Sequence, residues 1–294
     1  MKIRHLQMIF ALLVIATTIE AQDATDDEQQ TLQNTDIQYK SMHNAELEHM
    51  NNGSAFGAFH DNYFIIGIPT NHKPTSDNSD VKFHVSVRQM LTRNRLPLNT
   101  ALLLTYSQSS FWTIFAESSP FKDNNYNPTL TFATPIFKNN YFRGLVLLAI
   151  EHESNGRDGE DSRSWNFFSL RSYYFLSQNW LASISLWAGW VDKVGNPDLM
   201  SYKGYGHAEV TYYANNDRFS ASVILAPRNR FGSFNTTVGL NYKLTKNDNQ
   251  FVFLQFYNGY CENLLNYNEF RSMLRIGLCI KPDMRPSWRN APKS

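Results

Sequence analysis

Apolar and polar residues alternate one for one along this chain, in runs of about ten residues separated by turn signals. Phe234, Thr236, Val238, Leu240, Tyr242 and Leu244 form one side of such a run, and Asn235, Thr237, Gly239, Asn241 and Lys243 form the other. Near the end, Phe270, Ser272, Leu274, Ile276, Leu278 and Ile280 alternate with Arg271, Met273, Arg275, Gly277 and Cys279. Near the start, Phe83, Val85 and Val87 alternate with Lys82, His84, Ser86 and Arg88. Successive side chains of a strand point to opposite faces, so each run reads as a strand with one apolar and one polar face. Asn139-Asn140, Asn155-Gly156, Gly195-Asn196-Pro197, Asn215-Asn216-Asp217 and Asn247-Asp248-Asn249 supply the turns between them.

A soluble sandwich alternates too, but two features favour a barrel in lipid. Arg and Lys stand in mid-strand on the polar faces, as a polar lumen would have them. Tyr, Phe and Trp gather near strand ends on the apolar faces, as an interfacial girdle would; aromatics make up 14% of the chain. After the N-terminus no run of about 18 apolar residues is long enough for a helical span. The expectation is an all-β, antiparallel transmembrane β-barrel, with about ten to twelve plausible strands of roughly ten residues each.

Four segments follow. Residues 1–21 read as a secretory signal peptide: Lys2, Arg4 and His5 precede the apolar run Met8–Ala16, and the segment ends at Ala21. Residues 22–42 are acidic, Gln-rich and poor in large apolar side chains, and read as a flexible lead-in. Residues 43–281 carry the barrel and 282–294 a C-terminal tail. Lys+Arg and Asp+Glu number 27 and 26, a balance that argues against nucleic acid as partner. Cys261 and Cys279 are too few for a disulfide scaffold, and the sequence leaves their bonding open.

One hairpin carries chemistry. In Gly144–Asn155 the apolar parity is Gly144, Val146, Leu148 and Ile150, and the same parity continues into His152 and Ser154. A polar loop follows, and a second strand starts near Ser164. With the hairpin centred near Gly159, His152 lies opposite Asn166, and opposed residues of an antiparallel pair share a face. A hydroxyl, an imidazole and a carboxamide thereby converge on the lipid-facing side. His152 would take the proton of Ser154 as it attacks a carbonyl, while Asn166 fixes the tautomer of the ring. A neutral third member suits that face, where an Asp would carry a poorly solvated charge. Taken alone, His-x-Ser is also what a polar strand end running into a turn looks like.

The runs His152-Glu-Ser-Asn-Gly-Arg157 and Ser162-Arg-Ser-Trp-Asn166 resemble the signature of the outer membrane phospholipase A family. So do Glu117-Ser-Ser-Pro-Phe121, Asn125-Tyr-Asn-Pro128 and Tyr106-Ser-Gln108, with fainter similarity from Asp61-Asn-Tyr63 to the last strand. The resemblance implies a twelve-stranded barrel in the outer membrane of a Gram-negative-type envelope. It further implies calcium-dependent hydrolysis of phospholipid and lysophospholipid acyl esters at either position, by a homodimer. Carried over, His152 matches the base, Ser154 the nucleophile, Asn166 the orienting amide and Gly156 the backbone N–H at the oxyanion. Ser162 matches a hydroxyl ligand of calcium (Ca2+), Arg157 a carbonyl ligand, and Ser118 a carbonyl ligand donated by the second subunit. Gln108 matches an interface glutamine. Asp158, Glu160 and Asp161 read as a solvated loop that deepens the local negative field, and Arg163 as an ordinary loop arginine. The alternatives are a non-enzymatic outer-membrane barrel, a porin-like channel or adhesion scaffold, and a different serine esterase on a barrel.

Overall fold

The computed structural model describes residue 47 and residues 53–139, 141–215, 218–245 and 249–282. The expectations for a signal peptide over 1–21, for the lead-in over 22–42 and for the tail beyond 282 lie outside the described residues. The chain divides into two compact units between Ser41 and Met42, and everything described belongs to the second.

Thirteen strands, all antiparallel to their neighbours, form one sheet: β1 (Phe56–Ala58), β2 (Asn62–Pro69), β3 (Asp80–Met90), β4 (Ala101–Trp112), β5 (Phe121–Lys138), β6 (Tyr141–Ser154), β7 (Ser164–Phe175), β8 (Trp180–Val191), β9 (Gly206–Tyr213), β10 (Phe219–Pro227), β11 (Phe234–Lys243), β12 (Gln250–Gly259) and β13 (Arg271–Ile280). Each strand from β2 to β13 pairs with the next, and β13 pairs back onto β2. Closure leaves no edge with unpaired backbone groups, the condition for spanning lipid with strands. The short β1 continues the line of β2: it pairs with Val87–Gln89 of β3, while β2 pairs with Asp80–His84. The barrel therefore has twelve staves, as expected.

Face assignments follow the alternation. In β11, Phe234, Leu240 and Tyr242 are exposed while Asn235, Gly239, Asn241 and Lys243 are buried. In β13, Leu274, Ile276, Leu278 and Ile280 are exposed while Arg275 and Cys279 are buried. The apolar residues thus face out and the polar ones in, the reverse of a soluble core and the arrangement that a bilayer demands. Outward aromatics cluster at the two rims: Trp180, Phe219 and Tyr242 at one, Phe121, Trp190 and Phe234 at the other. Among the described residues no helix is long and apolar enough to cross a membrane.

Polar side chains that find partners across the lumen pack the interior. Arg275, with no exposed side-chain surface, donates Nε to Asp80 Oδ1 (2.7 Å) and Nη1 to Glu262 Oε1 (2.5 Å). Lys82 Nζ reaches the same Glu262 at 3.2 Å. Glu151 is bonded to Ser169 and, at 2.5 Å, to Arg171. Nearer the opposite rim a cavity of about 860 Å³ opens among Phe59, His60, Tyr173, Glu209 and Phe253. Both cysteines are free, which answers the question the sequence left open.

Candidate active site on the outer wall

The hairpin β6–β7 has the register that the sequence implies. His152 pairs with Asn166 and Ser154 with Ser164, and the loop between them contains a short 3-10 turn at Gly159–Asp161. His152 shares its parity with the exposed Leu148 and Ile150, and Asn166 with the exposed Phe168 and Leu170. All of these look out of the barrel. The intervening Glu151 and Glu153 look in.

The structure brings His152 and Asn166 into contact, with ring Nδ1 2.9 Å from the carboxamide Oδ1. An amide oxygen can only accept, so the proton of this bond sits on Nδ1 and leaves Nε2 free to take one. Ser154 lies two positions along on the same face, half-buried. No hydrogen bond joins its hydroxyl to the ring, a looseness usual in sites without substrate. Asn127 Nδ2 donates to the His152 carbonyl at 3.0 Å and holds the backbone of the strand from the β5 side.

The inward side of the same strand end is braced. Glu153 accepts from the Trp165 indole (2.6 Å) and from Lys203 (3.2 Å). Lys203 ends the short helix α1 (Leu199–Lys203) in the β8–β9 loop. Burial alone would lower its ammonium, but Glu153 more than compensates and holds it above its ordinary value. Trp165 stacks on Phe167 with centroids 3.6 Å apart, and both pack on Leu199, Leu264 and Tyr267. Three outward positions of the hairpin, His152, Ser154 and Asn166, thus present reactive-type groups to lipid, while the inward positions between them root the hairpin in the barrel.

Gly156 opens the loop after β6 with φ of +67°, and a Cβ there would stand 2.8 Å from the Tyr126 ring. Only glycine combines that backbone with that approach. Arg157 is tied to β5: Nη2 donates to the Lys122 carbonyl (2.6 Å) and Nη1 to Asp161 (3.3 Å). Arg163 donates to the Glu160 and Ser162 carbonyls at 2.7 and 2.8 Å, the ordinary structural role expected of it. Asp158, Glu160 and Asp161 are exposed. Ser162 is half-buried on the far limb of this loop. Ser118 lies on the separate β4–β5 loop, exposed, with φ of +62°. Gln108 points outward from β4, accepting from the Tyr106 hydroxyl (2.8 Å) and donating to Ser110 (2.9 Å).

Among the described residues no three His, Cys, Asp or Glu side chains gather as a metal cluster. The oxygen set around 157 and 162 is of another kind, one carbonyl and one hydroxyl on facing limbs of a loop rich in exposed carboxylates. Hard neutral oxygens of this sort fit calcium and fit zinc or copper poorly. Sequence reasoning did not single out Asn155, Glu153 and Asn196, whose contacts brace this hairpin and its loop. Asn155 and Asn196 stand in the sequence only as turn residues, and nothing local marks the partners they find.

Fold and site together define a class: an integral barrel of an outer membrane with a polar reaction-type cluster on its lipid-facing wall. The family model for phospholipase A1 matches residues 41–280. The phospholipase A1 of Salmonella typhimurium is 32% identical over 217 residues, covering 71% of this chain and 72% of the relative. That of Escherichia coli K12 is 33% identical over 208 residues, covering 68% and 69%. The solved Escherichia coli outer membrane phospholipase A superposes with a TM-score of 0.69 at 26% identity, over 79% of this chain and all of that one. A Salmonella typhi outer membrane phospholipase, crystallised as a dimer with bound calcium, gives 0.70 at 26% identity over 81% and 96%. The chain belongs to the phospholipase A1 family. It is an outer-membrane phospholipase, a phospholipid-hydrolysing enzyme, and the non-enzymatic barrel is set aside.

Proposed function

We propose that the chain hydrolyses acyl esters of phospholipids and lysophospholipids at either position, through Ser154, His152 and Asn166, with calcium as cofactor and as a homodimer. The observation that carries the reading is the 2.9 Å contact between His152 Nδ1 and Asn166 on the lipid-facing wall. Asn166 holds the ring in the tautomer whose Nε2 faces the Ser154 hydroxyl. His152 Nε2 takes the proton as Ser154 Oγ forms its bond to the ester carbonyl carbon. It then returns that proton to the departing alkoxide as the acyl–oxygen bond breaks. Water then gives a proton to the same ring as its oxygen adds to the acyl carbon, and that proton passes to Ser154 Oγ as the acyl–Oγ bond breaks and the fatty acid leaves. The Gly156 N–H is the donor for the negative oxygen that develops on attack.

The Ser162 hydroxyl and the Arg157 carbonyl would hold calcium, with the Ser118 carbonyl of a second copy completing the set. When bound, the cation polarises the ester carbonyl and offsets the charge of the oxyanion. Ser118 stands exposed on the β4–β5 loop, where a second copy could approach it. Outward Gln108, bonded to Tyr106 and Ser110 of its own strand, keeps a second amide hydrogen and a second lone pair that another copy could meet.

Fatty-acid release from phospholipid micelles, measured with calcium and with chelator for wild type and Ser154→Ala, tests the reading. Release that needs both calcium and Ser154, with loss on the order of 10³-fold or more in the variant, is the expected result. Undiminished release by Ser154→Ala overturns the nucleophile, and undiminished release in chelator overturns the cofactor.

A further inference from the structure

We infer that Asn155 and Asn196, two buried asparagines that touch no substrate, are positioning residues that hold the 155–164 loop in the shape calcium requires. The inference rests on the calcium reading just proposed and adds to it the parts that keep the site preformed.

Asn155 is 4% exposed. Its Oδ1 accepts the backbone N–H of Arg163 (3.0 Å) and that of Arg157 (3.4 Å), and its Nδ2 donates to the Asp161 carbonyl at 2.8 Å. Its own N–H donates to the Arg163 carbonyl at 3.0 Å. One side chain thereby ties together the limb that carries Arg157 and the limb that carries Ser162. The two candidate ligands belong to those limbs, so the span between them is set by this carboxamide.

Asn196 acts from another hairpin. It is fully buried in the β8–β9 loop, where its Oδ1 accepts the Ser164 N–H and its Nδ2 donates to the Ser164 carbonyl, both at 3.0 Å. The Asp192 N–H donates to the same carbonyl at 3.1 Å. Ser164 lies two residues from Ser162 on one side and two from Asn166 on the other. The far limb is therefore anchored where it enters β7. A free loop of this length would pay conformational entropy each time a cation gathered its carbonyl and hydroxyl oxygens. A loop cross-tied by one asparagine and anchored by another has that ordering done at folding.

Replacing either residue leaves buried backbone groups unpaired and loosens the ligand span without removing a ligand. The test is calcium titration of the detergent-solubilised full chain by calorimetry, run beside fatty-acid release at graded calcium. Wild type, Asn155→Ala, Asn196→Ala and Ser154→Ala are compared, each checked for a folded barrel by its heat-modifiable gel mobility. For the two asparagine variants the dissociation constant and the half-saturating calcium are expected to rise about 10- to 100-fold. Their rate at saturating calcium is expected to recover, and Ser154→Ala is expected to bind calcium normally without turning over. Unchanged calcium affinity in both alanine variants overturns the inference, as does a loss of rate that no calcium concentration restores. Absence of calcium binding by the wild-type chain overturns the reading beneath it instead.

Discussion

The two faces of the β6–β7 hairpin solve opposite problems with neighbouring residues. Outward, His152, Ser154 and Asn166 are half-buried and held by a single hydrogen bond among themselves. Inward, Glu151 and Glu153 are engaged by Arg171, Ser169, Lys203 and Trp165. The outer groups must remain available to an ester arriving from the bilayer. The inner groups must cancel one another, because a buried charge without a partner destabilises the barrel. Strand geometry lets the two jobs sit at successive positions, since a shift of one residue changes the face. Activity and stability should therefore separate by parity, and variants can break or sharpen that separation.

His152→Ala should give the largest effect: loss of fatty-acid release on the order of 10⁴-fold, with the unfolding midpoint in detergent unchanged. A comparable fall in stability would show that the outer face also holds the fold. Arg275→Ala attacks the inner face. It takes the nearest partner from Asp80 and Glu262, each at most 4% exposed at the side chain, leaving them Arg271 at 3.7 Å and Lys82 at 3.2 Å, and should cost about 3 kcal/mol in urea unfolding. Leu170→Arg places a charge on the lipid face of β7 away from the reacting groups. It should cost about 2–4 kcal/mol of folding in lipid vesicles, falling toward zero if the position lies at the interface rather than the midplane.

The gentlest probe is acid. Burial alone would raise the Glu262 carboxyl, but Arg275 and Lys82 override it and hold the group at about 2. A carboxylate depressed in the folded state stabilises the fold above its unfolded value, and that stabilisation drains away as pH falls through the folded one. Unfolding midpoints should thus decline from about pH 4.5 downward. In Glu262→Gln the decline should be shallower. An identical slope in both proteins would remove Glu262 from the account.

The fold was legible to the extent that period two is legible. Phe234–Leu244 and Phe270–Ile280 announce which residues face out, and closure into a ring follows because lipid leaves no open edge satisfied. The pairing of His152 with Asn166 was also within reach, since a centre near Gly159 fixes both parity and register. Asn155 was visible only as a turn residue, and Asn196 as part of Gly195-Asn196-Pro197. Neither pattern says that one side chain will span a loop or that the other will reach across to Ser164.

The chain alone thus determined the alternation of faces and the side of the wall on which imidazole, hydroxyl and carboxamide emerge. These depend on neighbours two residues apart or on one hairpin, and strand geometry carries such information locally. The tertiary structure alone decided which distant groups meet: Arg275 with Asp80 and Glu262, Lys203 with Glu153, Asn196 with Ser164. Those contacts join residues up to 195 positions apart. They exist because curling the sheet shut turns a row of polar inner faces into one small space, where each must find a partner across the lumen or between loops.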